Sequence, residues 1–317
     1  MKILFHANTL NFRGTTVALN DYARYNEEIL GNESIIIFND SLGYEKDVGS
    51  SQEVVHLLAS RFKVLRYKNA SQLQAIVDKG NFDLAYFIRA GNKEALPGNV
   101  KTGVHAVFQY NEPHGDVYAY VSEWLSKKMS DSQLPFVPHI VQLPSPTKNY
   151  RKALGIRDDQ IVIGRIGGHY TFDLPFVQEA IKKLVEKDDR FVFLMMGTYP
   201  SISHTNIKYI RESFDTYKKA NFINTCDAML HARERGESFG LAIAEFLSLN
   251  KPVLSWENGH DLNHLEMLKD SGTLYNESNL LEKLLNIKDL DNQDWTKRVE
   301  QYKPIPVMEK FKKVFLC

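Results

Sequence analysis

The chain has 317 residues, of which 43% are hydrophobic and 25% are charged, and its 39 basic residues equal its 39 acidic residues in number. This length is large for one compact core and suits two domains, while the balanced charge argues against a nucleic-acid partner. Two cysteines, Cys226 and Cys317, cannot form a disulfide framework, and no apolar run approaches the ~20 residues that span a membrane. We therefore expect a cytoplasmic protein with no transmembrane segment, whose only membrane contact would be peripheral.

The first half of the chain alternates short apolar runs with segments of helical periodicity. Alternation of this kind indicates right-handed crossovers and a mainly parallel sheet. A proline cluster at Pro135, Pro138, Pro144 and Pro146 then predicts an irregular linker. The predicted strands of this half are 2–6, 34–38, 63–66, 84–88, 103–108 and 117–122, and its predicted helices are 15–30, 52–62, 70–79 and 123–130.

The second half repeats the alternation, so the sequence predicts an α/β fold with two doubly wound, Rossmann-like domains over residues 1–145 and 146–303. Ligands of such folds bind beyond the carboxyl ends of the strands, and we expect a cleft between the two carboxyl edges. The predicted strands of this half are 160–165, 190–196, 228–231 and 252–254, and its predicted helices are 174–187, 216–224, 239–249, 277–287, 291–302 and 306–315.

The segment 228–254 carries the clearest chemistry. A strand, a polar loop and a helix in that order leave the first helical amides, around Gly240 to Ala242, unpaired at the positive end of the helix dipole, where they attract phosphate. Gly240 lets a ligand approach the backbone closely. Glu237 stands at the mouth of this site, and Glu245 lies about five residues beyond Gly240, or roughly 7.5 Å further along the helix axis. The segment therefore predicts a site for a ligand with hydroxyls at both ends and an anion between them, such as a nucleotide diphosphate sugar.

The residues Glu237-Ser-Phe239-Gly240-Leu-Ala-Ile-Ala-Glu245, followed by Lys251-Pro252-Val253, resemble a family signature. They are similar to the Glu-x7-Glu pattern of glycosyltransferase family 4, the retaining nucleotide-sugar glycosyltransferases of the GT-B fold. The alternative interpretation is an amphipathic helix with one solvated and one capping glutamate. The resemblance implies two Rossmann-like domains facing across a cleft, with residues 304–317 forming a last helix that crosses back to the first domain. It also implies transfer of a hexose, with retention, from a UDP-sugar or GDP-sugar to a hydroxyl of a carbohydrate, glycan or glycolipid acceptor.

The resemblance assigns roles to single residues. Glu245 would hold the ribose hydroxyls, and Glu237 would bind the sugar and stabilise positive charge near its anomeric carbon. The diphosphate would lie between them, neutralised by amides and by Arg165, which matches the arginine of the family's phosphate-binding pair. The complete predicted site has Glu237, Arg165 and His105 as catalytic residues and Gly14, Thr15, Arg165, Arg233, Phe239, Gly240, Leu241, Ala242 and Glu245 as donor-binding residues.

One departure from the family lies after Arg165. The family has a lysine about five residues later, and residues 166–174 contain none. We consider that Arg233 or Arg235 replaces its charge, or that His169 does so when protonated, and we favour Arg233 because arginine stays charged at any working pH. A surface pair between Arg233 and Glu234 is the competing interpretation of that residue.

Two predicted site positions lie in the first half. Gly14 and Thr15 occupy the place of the family's glycine-rich loop, which faces the donor phosphates, although threonine is also a common helix cap. His105 occupies a strand where the family places a histidine facing the transferred sugar. A lone histidine in an apolar strand is otherwise a core residue.

We expect no metal ion and no cofactor. Asp289-Leu-Asp291 is similar to the Asp-x-Asp metal site of the other major glycosyltransferase fold, but its position between two helical patterns favours a solvated helix cap. Two other functions remain open at this point: a nucleotide-sugar epimerase of the same fold, and a sugar-nucleotide-binding subunit with little activity.

Overall fold

A computed structural model describes residues 1–44 and 48–317, and of Asp291 and Asn292 the backbone only. The chain divides into two compact units, the first made of residues 1–140 and 302–317 and the second of residues 141–301. Each unit contains a six-stranded sheet in which every neighbouring pair of strands is parallel. The predicted α/β class with two doubly wound sheets is therefore confirmed.

The first unit winds its sheet in both directions from its first strand. The strand order is β3-β2-β1-β4-β5-β6, so the chain changes direction between β1 and β4. The central strands are buried on both faces, which explains their nearly continuous apolar sequence. The elements are β1 Lys2–Ala7, α1 Gly14–Glu28, β2 Glu33–Asn39, α2 Gln52–Ala59, β3 Lys63–Tyr67, α3 Ala70–Gly80, β4 Leu84–Arg89, β5 Lys101–Ala106, β6 Val117–Tyr120 and α4 Glu123–Ser130.

The second unit repeats this topology. Its order is β14-β12-β10-β7-β8-β9, and the change of direction falls between β7 and β10. The short strands β11 and β13 form a separate parallel pair. The elements are β7 Ile161–Ile166, α5 Pro175–Lys187, β8 Phe191–Met196, β9 Ile207–Ile210, α6 Thr216–Thr225, β10 Ala228–His231, β11 Gly236–Glu237, α7 Leu241–Ser248, β12 Val253–Trp256, β13 Asp261–Leu262, α8 Asn263–Met267, β14 Leu274–Tyr275 and α9 Leu280–Leu285.

Several short elements differ from the sequence prediction. Strand β9 and the two-residue strands were not predicted, because runs of two to four residues carry too little periodicity. Where an α-helix was predicted over 291–302, the chain forms two 3₁₀ segments, Ile287–Asn292 and Trp295–Tyr302. The predicted helix over 277–287 is shorter and contains only α9.

The C-terminal segment packs into the first unit. It forms α10 Pro304–Phe311 and a π turn, Lys312–Leu316. The ring of Phe311 lies 5.3 Å from those of Tyr22 and Tyr86, and Phe315 lies 5.1 Å from Tyr86, with both phenylalanines fully buried. These aromatic contacts attach the end of the chain to the core beside β4 and α1.

Candidate functional site

The switch point of the second sheet brings several predicted residues together. Strands β7 and β10 are neighbours there, with Arg165 near the end of β7 and His231 at the end of β10. The loop after β10 carries Arg233 and leads to Glu237 in β11. Ligands of doubly wound sheets bind outside the carboxyl ends of the strands at this point, so the position itself supports a binding site.

Glu237 is held by contacts on both carboxylate oxygens. Arg233 Nη1 donates to Oε2 at 2.9 Å, and His231 Nε2 lies 3.4 Å from Oε1. Burial acts to raise the pKa of Glu237, but the close approach of the His231 ring and the positive charge of Arg233 outweigh it and lower the pKa to about 2. Glu237 is therefore ionised at working pH, which suits it to accept hydrogen bonds and stabilise positive charge, and makes it a weak base.

Two histidines that the sequence prediction missed support Glu237. The Glu237 amide donates to His264 Nδ1 at 3.3 Å, so His264 carries its proton on Nε2 and donates it to the Trp256 carbonyl at 3.1 Å. Burial lowers the pKa of His264 to about 3 and keeps the ring neutral. His231 is fixed by its Nδ1 contact with Ser255 Oγ at 2.8 Å. A polar residue at the end of a buried strand is the sequence signal that points to His231.

The start of α7 has the backbone geometry that an anion site needs. Gly240 caps the helix with φ +96°, a conformation that favours glycine. The first hydrogen bond of the helix runs from the Ala244 amide to the Gly240 carbonyl at 3.0 Å, so the amides of Leu241 and Ala242 have no partner inside the helix. Phe239 is buried, and its carbonyl accepts from Asn263 Nδ2 at 2.7 Å, which anchors the turn before the helix.

Glu245 forms a buried ion pair that the sequence prediction missed. Lys219 Nζ, on α6, donates to Glu245 Oε1 at 2.6 Å, and the side chains are only 8% and 5% exposed. The second oxygen, Oε2, makes no hydrogen bond to the part of the chain that the structure describes. Lys219 lies one helical turn before the buried Phe222 and Ile223. A charged residue on the apolar face of a helix is the sequence signal that could have indicated a buried partner for Lys219.

The guanidinium of Arg165 donates hydrogen bonds to the loop that follows its own strand. Arg165 is 3% exposed and donates through Nη2 to the Gly168 carbonyl at 3.0 Å and to Thr171 Oγ1 at 2.6 Å, while Nη1 donates to Thr198 Oγ1. Burial lowers the pKa of Arg165 to about 10, so the side chain stays charged. The predicted bidentate contact with a diphosphate would require these hydrogen bonds to be exchanged. In this structure Arg165 shapes the loop and adds positive charge beside Glu237.

The candidates for the missing lysine have different partners. Arg233 pairs with Glu237 and not with the neighbouring Glu234. Arg235 Nε donates to Asp261 Oδ2 at 2.7 Å, and His169 Nε2 lies 3.3 Å from Glu212 Oε2. Among these three residues, Arg233 is the one with an ion pair to a predicted site carboxylate, and its replacement of the lysine stays a prediction.

The first unit contains the other predicted residues. Gly14 and Thr15 begin α1, and the residue in the cap position is Arg13. The neighbouring Thr16 is buried; its hydroxyl accepts from the Asn11 amide at 3.1 Å. Thr15 is therefore a residue of the first helical turn and not its cap.

His105 is a core residue of the first unit and not part of the candidate site. It is fully buried, its Nε2 donates to the Val137 and Tyr120 carbonyls at 2.9 and 3.2 Å, and its Nδ1 accepts from the Tyr86 hydroxyl at 2.5 Å. Burial lowers its pKa to about 4. With both ring nitrogens occupied, His105 cannot bind a sugar, and this corrects the predicted catalytic role.

Within residues 1–44 and 48–317, no group of three or more metal-binding side chains occurs. Asp289 lies in the 3₁₀ segment Ile287–Asn292, and the side chain of Asp291 is outside the described part of the chain. No described helix is both long and apolar enough to cross a membrane.

In sequence, the chain matches no protein-family model and no curated protein. Its fold, in contrast, is similar to that of solved glycosyltransferases over nearly the full length of both chains. The structure of Anabaena Alr3699/HepE in complex with UDP-glucose is 12% identical, has a TM-score of 0.75 and covers 100% of each chain. WaaG, a glycosyltransferase involved in lipopolysaccharide biosynthesis, is 12% identical with a TM-score of 0.68, covering 98% of this chain and 99% of WaaG.

Two further structures extend the comparison. A glycosyltransferase from Rickettsia africae ESF-5 is 15% identical, with a TM-score of 0.67, and covers 98% of this chain and 94% of its own. A putative UDP-N-acetylglucosamine 2-epimerase from Listeria monocytogenes is 12% identical, with a TM-score of 0.62, over the same shares of the two chains. At these identities the likeness establishes architecture, and the chain has the GT-B fold of these glycosyltransferases, as the sequence predicted.

Proposed function

We propose that the protein transfers a hexose from a UDP-sugar or GDP-sugar to a hydroxyl of a carbohydrate, glycan or glycolipid, with retention and without a metal ion. The observation that carries this proposal is the ionised Glu237, held between Arg233 and His231 at the switch point of a GT-B fold. The full-length similarity to a structure that contains UDP-glucose supports the same class of donor.

The donor would extend along the start of α7. The free oxygen of Glu245 would accept hydrogen bonds from the ribose hydroxyls, because Lys219 occupies only Oε1. The amides of Leu241 and Ala242 and the positive end of the helix dipole would bind the diphosphate. Arg233, which replaces the missing lysine in this proposal, would add charge to that group. Gly14 and Thr15 stay a prediction for the donor phosphates.

The reaction breaks the bond between the anomeric carbon and the diphosphate and forms a bond from that carbon to the acceptor oxygen. Glu237 would stabilise the positive charge that develops at the anomeric carbon. A carboxylate with a pKa of about 2 is too weak a base to take the acceptor proton. The leaving diphosphate therefore accepts that proton, and the nucleoside diphosphate departs.

The test is incubation of the protein with a panel of nucleotide sugars and candidate sugar acceptors, followed by measurement of nucleoside diphosphate release. The proposal expects release with at least one donor, unchanged activity after treatment with a chelator, and an anomeric configuration in the product equal to that of the donor. Failure of the whole panel to release nucleotide would contradict glycosyl transfer, and an inverted product would contradict retention.

A nucleotide-sugar epimerase is the second candidate, because a putative epimerase shares the fold over most of the chain. That function predicts isomerisation of the sugar without an acceptor in the same assay. A binding subunit predicts affinity for the nucleotide sugar with neither reaction. The three outcomes are therefore distinguishable in a single panel.

A further inference from the structure

The switch point of the first sheet contains a second group of buried polar side chains. Strands β1 and β4 are neighbours there, and His6 and Phe87 are register partners. Two residues after Phe87, and therefore on the same face of the sheet, Arg89 ends β4. Tyr67, at the end of β3, reaches across to this group. The proposed donor site in the second unit does not use any of these residues.

Arg89 lacks the partners that a buried guanidinium normally has. Its side chain is 3% exposed, and its Nε and Nη1 are buried without a hydrogen bond to any described residue. Its only ion-pair partner in the described chain is Glu94, whose carboxylate lies 3.5 Å from Nη1 and is 35% exposed. The guanidinium lies 4.6 Å from the centre of the Phe87 ring. The ring provides one wall of the group and offers no acceptor.

His6 is also incompletely paired. Its Nε2 is 2.6 Å from the Tyr67 hydroxyl, while Nδ1 is buried and has no partner among the described residues. Its ring packs 4.7 Å from that of Phe87. Burial and the neighbouring charge of Arg89 hold the pKa of His6 well below its usual range, so His6 is neutral. The charge of this group is therefore that of Arg89, partly offset by Glu94.

The cost of this arrangement points to a ligand. Each buried donor without a partner costs about 1–3 kcal/mol, and more when the group is charged. A methionine or leucine would fill the same place against Phe87 without that cost, and arginine is not neutralised by burial. The groups best matched to the guanidinium are carboxylate and phosphate, which accept its hydrogen bonds in pairs.

We propose that Arg89, with His6 and Tyr67 beside it, forms a binding site for a carboxylate or phosphate group at the switch point of the first sheet. Because Nε and Nη1 are buried in this structure, the Arg89 side chain shifts when the ligand group accepts their hydrogen bonds, and Tyr67 and His6 supply neutral polar contacts. In combination with the proposed glycosyl transfer, on which this extension rests, the site selects an acceptor that carries an anionic group.

The test is nuclear magnetic resonance of the arginine Nε–H groups in the full chain, with inorganic phosphate and acetate as separate probes. The Arg89 signal is identified by its loss in Arg89→Lys. The proposal expects this signal to shift and saturate with at least one of the two anions, whereas the exposed Arg61, which pairs with Glu27 and Glu28, changes little. An Arg89 signal that stays fixed while both anions reach tens of millimolar would overturn the proposal. The relative response to phosphate and acetate identifies the ligand class.

Thermal unfolding of Arg89→Met gives a second readout that needs no nucleotide sugar. The proposal expects a melting temperature without anion equal to or above that of the wild type, and loss of the increase that the preferred anion causes in the wild type. Arg61→Met serves as the matched control and keeps that increase. A melting temperature far below that of the control, with the anion-dependent increase intact, would show that Arg89 serves the fold and would overturn the site. Both readouts are independent of glycosyl transfer, so the two proposals fail separately.

Discussion

The two sheets have the same strand order, and each has an arginine near its switch point, but the two arginines have opposite surroundings. Arg165 donates to two threonine hydroxyls and a carbonyl in the second unit. Arg89 in the first unit has two buried nitrogens without hydrogen bonds to any residue that the structure describes. The same topology therefore supports one site whose cations are already paired with the protein and one whose cation has only the partly exposed Glu94 as an ion-pair partner in the described chain. The position of a residue in a fold therefore identifies a candidate ligand-binding residue, and the hydrogen bonds of that residue indicate whether it needs a ligand.

Breaking the ion pair between Lys219 and Glu245 in the second unit is expected to have the largest effect on stability. Lys219→Met leaves the carboxylate of Glu245 buried and unpaired, and loss of one partner of such a pair costs about 3–5 kcal/mol of unfolding free energy. The measurement is urea denaturation, with Lys218→Met, a change to the exposed lysine beside it, as the control. The double variant Lys219→Met/Glu245→Leu should recover most of the loss. If Lys219→Met and Lys218→Met are equally stable, the buried ion pair does not stabilise the fold. The contrast with Arg89, whose replacement is expected to cost no unfolding free energy, would then be lost.

The next effect concerns the catalytic rate and the carboxylate of Glu237. Glu237→Gln keeps the size of the side chain and removes the charge that, in the proposed reaction, stabilises the anomeric carbon, so kcat should fall about 100-fold, the scale observed when one preorganised electrostatic group is lost. The KM for the donor should change little, because the contact strengthens in the transition state. Steady-state kinetics with the donor identified in the panel measure both. A rise in KM with an unchanged kcat would make Glu237 a binding residue only.

A related effect is on acid stability. The pKa of Glu237 is lowered from its ordinary value of 4.5 to about 2, so the ionised form favours the folded state. This contribution is present above about pH 4.5, is lost as the pH falls towards 2, and amounts to roughly 3 kcal/mol at 1.36 kcal/mol per pH unit. Urea denaturation from pH 6 to pH 3 should therefore show a steeper loss for the wild type than for Glu237→Gln. Parallel profiles would indicate that the carboxylate is not held as the contacts suggest.

The smallest effect separates the two arginines of the loop. Arg233→Gln removes the 2.9 Å contact to Glu237 and should reduce kcat/KM for the donor about tenfold, the size of one charged hydrogen bond. Arg235→Gln removes the contact to Asp261 and should leave kcat/KM within about twofold. If the two variants lose activity equally, Arg233 does not replace the missing lysine.

Much of the fold was predictable, because long apolar strands and amphipathic helices carry strong periodicity. The boundaries of β1, β3 and α5 lie within about one residue of prediction. The sequence placed the candidate site at Arg165, Arg233 and the segment from Glu237 to Glu245, and their part in binding stays a prediction. The pairing of Lys219 with Glu245 joins residues 26 positions apart, and sequence patterns do not show such contacts. His105 was misassigned because β5 is buried on both faces, and periodicity then gives no sign of which side chains reach the edge.

We propose that the start of α7 binds the nucleotide of a sugar donor through Glu245. The most direct measurement is calorimetric titration of the wild type and of Glu245→Ala with UDP and GDP. We predict that the wild type binds one of them and that the variant binds it at least tenfold more weakly, because the carboxylate oxygen left free by Lys219 is lost. Equal affinity in the two proteins, with both folded, would contradict the claim.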